Sequence, residues 1–128
     1  MILDSSAILA LLLGEPHAAD LMRRMHTASI LAVAAPTLLE TAMVLSGRLP
    51  GDTRQLLNEF VREFEIEVIG FSREHFDVAA DAFYRYGKGR HPAALNFGDC
   101  MSYAAARLSG LPLLFVGDDF PQTDMGNP

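Results

Sequence analysis

The sequence predicts an α/β fold, a small doubly wound domain around a parallel sheet, and three observations carry that prediction. Four short apolar runs recur along the chain, at residues 1–3, 30–34, 66–71 and 113–116. Segments with helical spacing separate them. Three of the runs are continuous, which is the pattern of strands covered on both faces, while residues 66–71 alternate enough to read as a strand. At 128 residues, half of them hydrophobic, the chain makes one domain with a sizeable core. That domain is expected to span residues 1–124, with 125–128 as a frayed tail.

Each element has a local cause. Asp4 stops the first apolar run, and Ser5-Ser6 can cap a helix to about Leu13. Glu15-Pro16 opens a second helix, with Leu21, Met22 and Met25 at helical spacing, to about Thr27. Pro36 suits the first turn of a third helix through Leu38, Leu39, Ala42 and Met43, closed by Gly47. Asp52 caps an amphipathic helix in which Leu56, Phe60 and Phe64 recur every four residues. Ser72 caps another that puts Phe76, Ala79, Ala80 and Phe83 on one face. Residues 84–97 hold two glycines and a proline and read as a loop, after which Gly98 opens a last helix to Ser109, stopped by Gly110.

Composition narrows the function. The single cysteine, Cys100, excludes an internal disulfide framework and a multi-cysteine zinc site, and fits a reducing cytoplasm. Cys100 itself reads as a small core residue. The apolar stretch near the start follows Asp4, has no basic residue before it and meets Glu15-Pro16, so it reads neither as a signal peptide nor as a membrane span. Sixteen acids against ten bases give a net charge of −6, which argues against nucleic acid unless some acids hold divalent cations.

Four acids stand apart from the solvated helix faces. Asp4 ends the first strand, Glu40 interrupts the apolar PTLLETAMVL, Asp99 lies in the first turn of LNFGDCMSYAAA, and Asp118 follows the last strand in LPLLFVGDDF. Ligand sites in open parallel sheets form beyond the carboxyl ends of the strands, so these positions can face one cleft. Carboxylates gathered without bases repel one another, and Mg²⁺ relieves that repulsion with oxygen ligands. Singly, each has an ordinary reading: Asp4 as a helix cap, Asp99 against a helix dipole, Asp118 or Asp119 in a turn. Glu40 is harder to dismiss, because an acid among leucines and alanines needs a partner.

Asp4-Ser5-Ser6, Glu40 in PTLLETAMVL, the FGDC segment around Asp99 and the terminal GDDFPQTD together resemble the PIN domain, and within it the VapC-type toxins of bacterial toxin–antitoxin pairs. The resemblance covers nearly the whole chain, in order. It implies a three-layer α/β/α fold with a mainly parallel sheet of four to five short strands, and a metal-dependent endoribonuclease leaving 5′-phosphate and 3′-hydroxyl ends. Its acidic quartet falls on Asp4, Glu40, Asp99 and Asp118 as catalytic and metal-binding residues, with Asp119 as the alternative to Asp118. Ser6 matches a position whose hydroxyl supports the first aspartate. The implied cofactor is Mg²⁺, with Mn²⁺ as substitute. The implied partners are a VapB-type antitoxin, an RNA substrate and a second copy of the chain, as a homodimer that becomes a heterotetramer or larger with antitoxin. The leucine- and methionine-rich helices at residues 9–13 and 21–25 offer apolar surface for such contacts, or simply face their own core. No membrane is involved, and a cytoplasmic setting is expected.

An acidic protein must still receive RNA. Between Asp81 and Asp99 there is no acid, while Arg85, Lys88, Arg90 and His91 occur with Tyr84 and Tyr86 among them. Such a segment suits RNA contact through cations and stacking rings, beside the alternative of an ordinary solvated loop. Rival Mg²⁺ phosphotransfer folds fit poorly. A haloacid-type phosphatase wants Asp-x-Asp after the first strand, where Ser5-Ser6 follow Asp4, and a receiver needs an aspartate after an internal strand. The remaining rival is a catalytically silent module that binds RNA or protein without cutting.

Overall fold

The computed structural model describes residues 1–126. It contains four parallel strands, β1 (Ile2–Leu3), β2 (Ala32–Ala34), β3 (Glu67–Ile69) and β4 (Leu113–Leu114), in the order β3-β2-β1-β4. Register runs Ile2 against Ala32 and Leu113, and Ala32 against Glu67. Six helices surround the sheet: α1 (Ser5–Leu12), α2 (Ala18–Thr27), α3 (Ala35–Ser46), α4 (Arg54–Glu63), α5 (Arg73–Tyr86) and α6 (Phe97–Ser109). A one-turn 3-10 helix at Phe120–Gln122, which the sequence pattern did not predict, follows β4.

The strands divide the core in two. Ile2, Ala32, Ala34 and Leu113 face the layer containing α5 and α6, where Ala79, Ala82 and Tyr103 pack. Leu3, Val33 and Leu114 face the opposite layer, against Ile8, Leu21, Met25, Leu57 and Phe60. Alternate residues of β1, β2 and β4 thus point to opposite helical layers. This is the expected three-layer α/β/α arrangement, with four strands. β3 and β4 are the edge strands, and Val68 of β3 is exposed.

Several local expectations shift. The cap of α1 is Asp4 itself, whose carboxylate accepts the Ser6 amide, rather than Ser5 or Ser6. α4 begins one residue after Thr53, although Asp52 still accepts the Arg54 amide. α5 runs on to Tyr86, so the loop starts at Gly87 and not at Tyr84. Its buried stripe is Ala79 and Ala82; Phe76 and Phe83 instead point outward and line an apolar depression with Phe71, Phe97 and Met101. α6 starts at Phe97 under an Asn96 cap and ends at Gly110.

In α1 and α2, Ile8, Ala10, Leu21 and Met25 are buried in the protein's own core, and Leu9 and Leu11 pack against the same core. The exposed large apolar side chains lie elsewhere, with Leu39 and Met43 on α3 and Phe97 opening α6. Met125 packs against the core, while residues 127–128 of the tail expected to fray lie outside the described residues. Among the described residues, no helix is long and apolar enough to cross a membrane.

Candidate active site

Asp4 follows β1, whose ladder continues one residue through the Asp4 amide, donated to the Leu114 carbonyl at 2.9 Å. This central strand holds the carboxylate at the carboxyl edge of the sheet, only 3% exposed. Three donors satisfy it. The Ser6 amide and hydroxyl reach Oδ2 at 3.1 and 2.7 Å, and the Ser102 hydroxyl reaches Oδ1 at 2.6 Å. Ser6 also accepts the Val116 amide at 3.0 Å, tying the segment after β4 to the first acid.

Glu40 lies in the middle of α3, partly buried, and its Oε1 is a buried oxygen without a hydrogen-bond partner. Burial raises its pKa; the Ser5 hydroxyl opposes that shift, and the charge of Asp4 adds to it. α6 passes directly against this carboxylate. A Cβ built on Gly98 would stand 2.1 Å from Glu40 Oε2, so a residue with any side chain there collides with the acid.

Asp99 occupies the first turn of α6 and shares a capping box with Asn96. Its amide donates to Asn96 Oδ1 at 2.9 Å, and its Oδ2 accepts the Asn96 amide at 3.0 Å. Burial pushes its pKa up to about 6, the Asn96 amide pulls it back, and the charges of Asp4, Asp119 and Glu40 push it further up. Three acids from β1, α3 and α6 therefore sense one another at the carboxyl edge of the sheet.

The fourth position divides. After β4 the backbone turns at Gly117, whose φ of +115° is a conformation side-chain-bearing residues rarely adopt. Asp118 then lies in a neighbouring depression with His17, Asp20 and Arg24. Asp119 is the residue after β4 whose charge acts on Asp99. The next residue, Phe120, is buried and anchors the turn.

The acids supply hard oxygen donors with no cation among them, and one buried oxygen lacks a partner. Such a donor set suits a divalent cation of the Mg²⁺ kind. Among the described residues, no three histidine, cysteine, aspartate or glutamate side chains stand, as they are placed, close enough together to hold a metal ion. Cys100 is buried and burial lifts its thiol to about 11, which leaves it inert.

The basic segment is partly engaged. Arg85 reaches Asp81 at 3.5 Å and Asp124 at 3.9 Å, donates to the Tyr86 hydroxyl at 3.0 Å and stacks over the Tyr86 ring. Arg90 lies over the rings of Tyr84 and Phe83, at 4.6 and 5.5 Å from their centroids. Lys88 is exposed, and the His91 ring accepts the Ala93 amide and meets Tyr86 edge-on. Sequence reasoning missed Ser102, Thr37 and the reason for Gly98. Ser102 lies one helical turn beyond Asp99, a spacing that could have flagged it.

Comparison with known proteins shows the family. The family model described as PIN domain matches residues 1–125. VapC ribonuclease Mb2004c of Mycobacterium bovis is 47% identical over 126 residues, covering 98% of this chain and 91% of the relative. Ribonuclease VapC of Mycolicibacterium smegmatis is 38% identical over 125 residues, covering 98% and 97%. The solved structure of Mycobacterium tuberculosis VapC20, described as a sarcin-ricin loop cleaving toxin, superposes with a TM-score of 0.75 over 93% of this chain and 91% of that one. Its sequence identity is 19%, so it speaks for the fold. On its fold, its edge cluster of acids and these relatives, the chain belongs to the PIN-domain family and, within it, to the VapC ribonucleases.

Proposed function

We propose that the protein is a Mg²⁺-dependent endoribonuclease toxin that hydrolyses RNA phosphodiester bonds and is neutralised by a cognate VapB-type antitoxin. The observation that carries this reading is the convergence of Asp4, Glu40 and Asp99, with Asp99 raised by its neighbours and one Glu40 oxygen buried without a partner. Asp4, Glu40 and Asp99 would hold the ion, with Mn²⁺ as a substitute. Asp119 is a better fourth acid than Asp118, because its charge is the one that reaches Asp99. When bound, the ion lowers the pKa of water and stabilises charge on the attacked phosphate. The chain's own residues orient that chemistry. Ser6 and Ser102 keep Asp4 aimed, Asn96 fixes Asp99 at the helix start, and Gly98 leaves the space that Glu40 fills.

Arg90 over Tyr84, with exposed Lys88, supports an RNA-facing role for this segment; Arg85 is partly committed to Asp81 and Asp124. An apolar groove between α1, α2 and α4, with Leu12, Met22, Phe60 and Phe64 in its walls and Glu59 and Glu63 beside them, suits an antitoxin segment that is apolar with basic flanks. A homodimer is supported by Leu39, Met43 and Phe97, which are 63, 66 and 78% exposed. Leu39 and Phe97 are the chain neighbours of Glu40 and Gly98, which touch, so this apolar surface borders the site. A cytoplasmic location follows from the same reading.

The test is cleavage of total bacterial RNA by antitoxin-free protein, with Mg²⁺, with chelator, and with Asp99→Asn. Discrete fragments that require the metal, and that fall more than about 100-fold with the variant, are expected, since even outer partners of a metal site cost 10- to 100-fold. Cleavage indifferent to chelator would overturn the reading. RNA binding with no cleavage of any RNA offered would favour the silent module.

A further inference from the structure

The two helices that carry Glu40 and Asp99 each carry a buried hydroxyl one turn from the acid. On α3 it is Thr37, three residues before Glu40; on α6 it is Ser102, three residues after Asp99. Both are buried, and their oxygens lie 3.5 Å apart across the helix–helix contact. A serine inside a helix commonly returns its hydroxyl to a carbonyl of the preceding turn. Ser102 instead donates at 2.6 Å to Asp4 Oδ1, a residue 98 positions away. Since its one proton goes to Asp4, Thr37 must be the donor in any bond between the two hydroxyls.

We propose that Ser102 is a positioning residue of the acidic site, which fixes the Asp4 carboxylate for a divalent cation. This rests on the metal-nuclease reading above. Ser6 holds Oδ2 from the loop side and Ser102 holds Oδ1 from α6, so Asp4 cannot rotate about its carboxylate axis without breaking a bond at one oxygen. α6 thereby delivers one acid of the site and the brace for another. A shift of that helix moves Asp99 and Asp4 together. Replacing Ser102 by alanine leaves Oδ1 of a 3%-exposed acid without that donor and free to turn away from the cluster.

The experiment is a calorimetric titration with Mn²⁺ alone, on full-length wild type and on Ser102→Ala, Ser102→Cys and Ser102→Thr, after thermal unfolding in chelator shows which variants fold. Cysteine keeps nearly the size of serine while losing the strong donor, so it serves if alanine fails to fold; threonine keeps the hydroxyl. Mn²⁺ affinity is expected to fall 10- to 100-fold in the alanine and cysteine variants, the range found for outer partners of metal ligands, and to stay within about threefold in the threonine variant. RNA cleavage by the alanine variant should recover as Mg²⁺ is raised. Wild-type affinity in both the alanine and cysteine variants overturns the proposal while leaving the nuclease reading standing. Equal weakening in the threonine variant overturns it too, because shape rather than the hydroxyl would then matter. A wild type that binds no Mn²⁺ removes both.

Discussion

Gly98 has no side chain, and the Glu40 carboxylate occupies the place where one would be. Two effects of Gly98→Ala therefore oppose each other. Alanine in a helix gains about 0.5–1 kcal/mol over glycine, whereas forcing an atom into a filled contact costs about 1–3 kcal/mol. The contact is with the free end of a flexible side chain, so Glu40 gives way and the two effects on stability largely cancel. The variant should fold, change in stability by no more than about 1 kcal/mol by denaturant titration, and, with Glu40 displaced, cut RNA at least about tenfold more slowly. Asp99 gives a second expectation, in pH. Its folded-state pKa is raised from 3.8 to about 6, so the folded chain keeps this proton where the unfolded chain has released it. Stability of the chelated protein from this group therefore falls as pH rises from about 4 to about 6, and stays low above. Asp99→Asn should flatten that slope in unfolding temperatures measured across the range, and Mg²⁺ should offset the loss above pH 6. Cleavage by the wild type should decline as pH drops below about 6, where the proton competes with the ion.

At the scale of elements, the segment after α5 shows what a sequence displays and what it conceals. The absence of acids between Asp81 and Asp99 is visible in the chain, but the engagement of Arg85 by Asp124 is not, because it depends on where the tail returns. Lys88→Ala with Arg90→Ala should weaken RNA binding and reduce the slope of log affinity against log salt by about 0.7 for each phosphate no longer neutralised. An unchanged slope in a filter-binding titration removes this loop from the RNA path. Asp4 and Glu40 were legible as candidates because one ends an apolar run and the other interrupts one. Ser102 was not, since a serine among alanines in a helix looks ordinary until the partner strand is in place. Nor does the sequence separate Asp118 from Asp119, which follow a backbone turn at Gly117 with a φ of +115°.

For the whole molecule, three continuous apolar runs and one alternating segment were enough to place four parallel strands, yet every strand proved shorter than its run. Hydrogen-bonded ladders end where neighbouring strands diverge, while apolar residues continue outward to pack under the helices. The helical faces were less legible. Periodicity identifies an apolar stripe but not its partner, and Phe76 and Phe83 turned outward where a core face was expected. The exposed Leu39, Met43 and Phe97 are the strongest sign of assembly. Leu39→Asp with Met43→Asp should leave the fold intact, because both side chains are exposed, and convert a dimer to a monomer in light scattering at micromolar concentration. A wild type that is already monomeric there would refute the dimer.

The last described residues have a further consequence. Asp124 accepts the Tyr103 hydroxyl at 2.8 Å, pairs with Arg107 on α6, and meets Arg85 at 3.9 Å. One guanidinium at the root of the basic loop is thus shared with the end of the chain. Both partners are partly exposed, so ions in solution weaken the pairing. A rise in ionic strength therefore slackens the latch on the tail, and any anion drawn to Arg85 has to compete with a carboxylate already there.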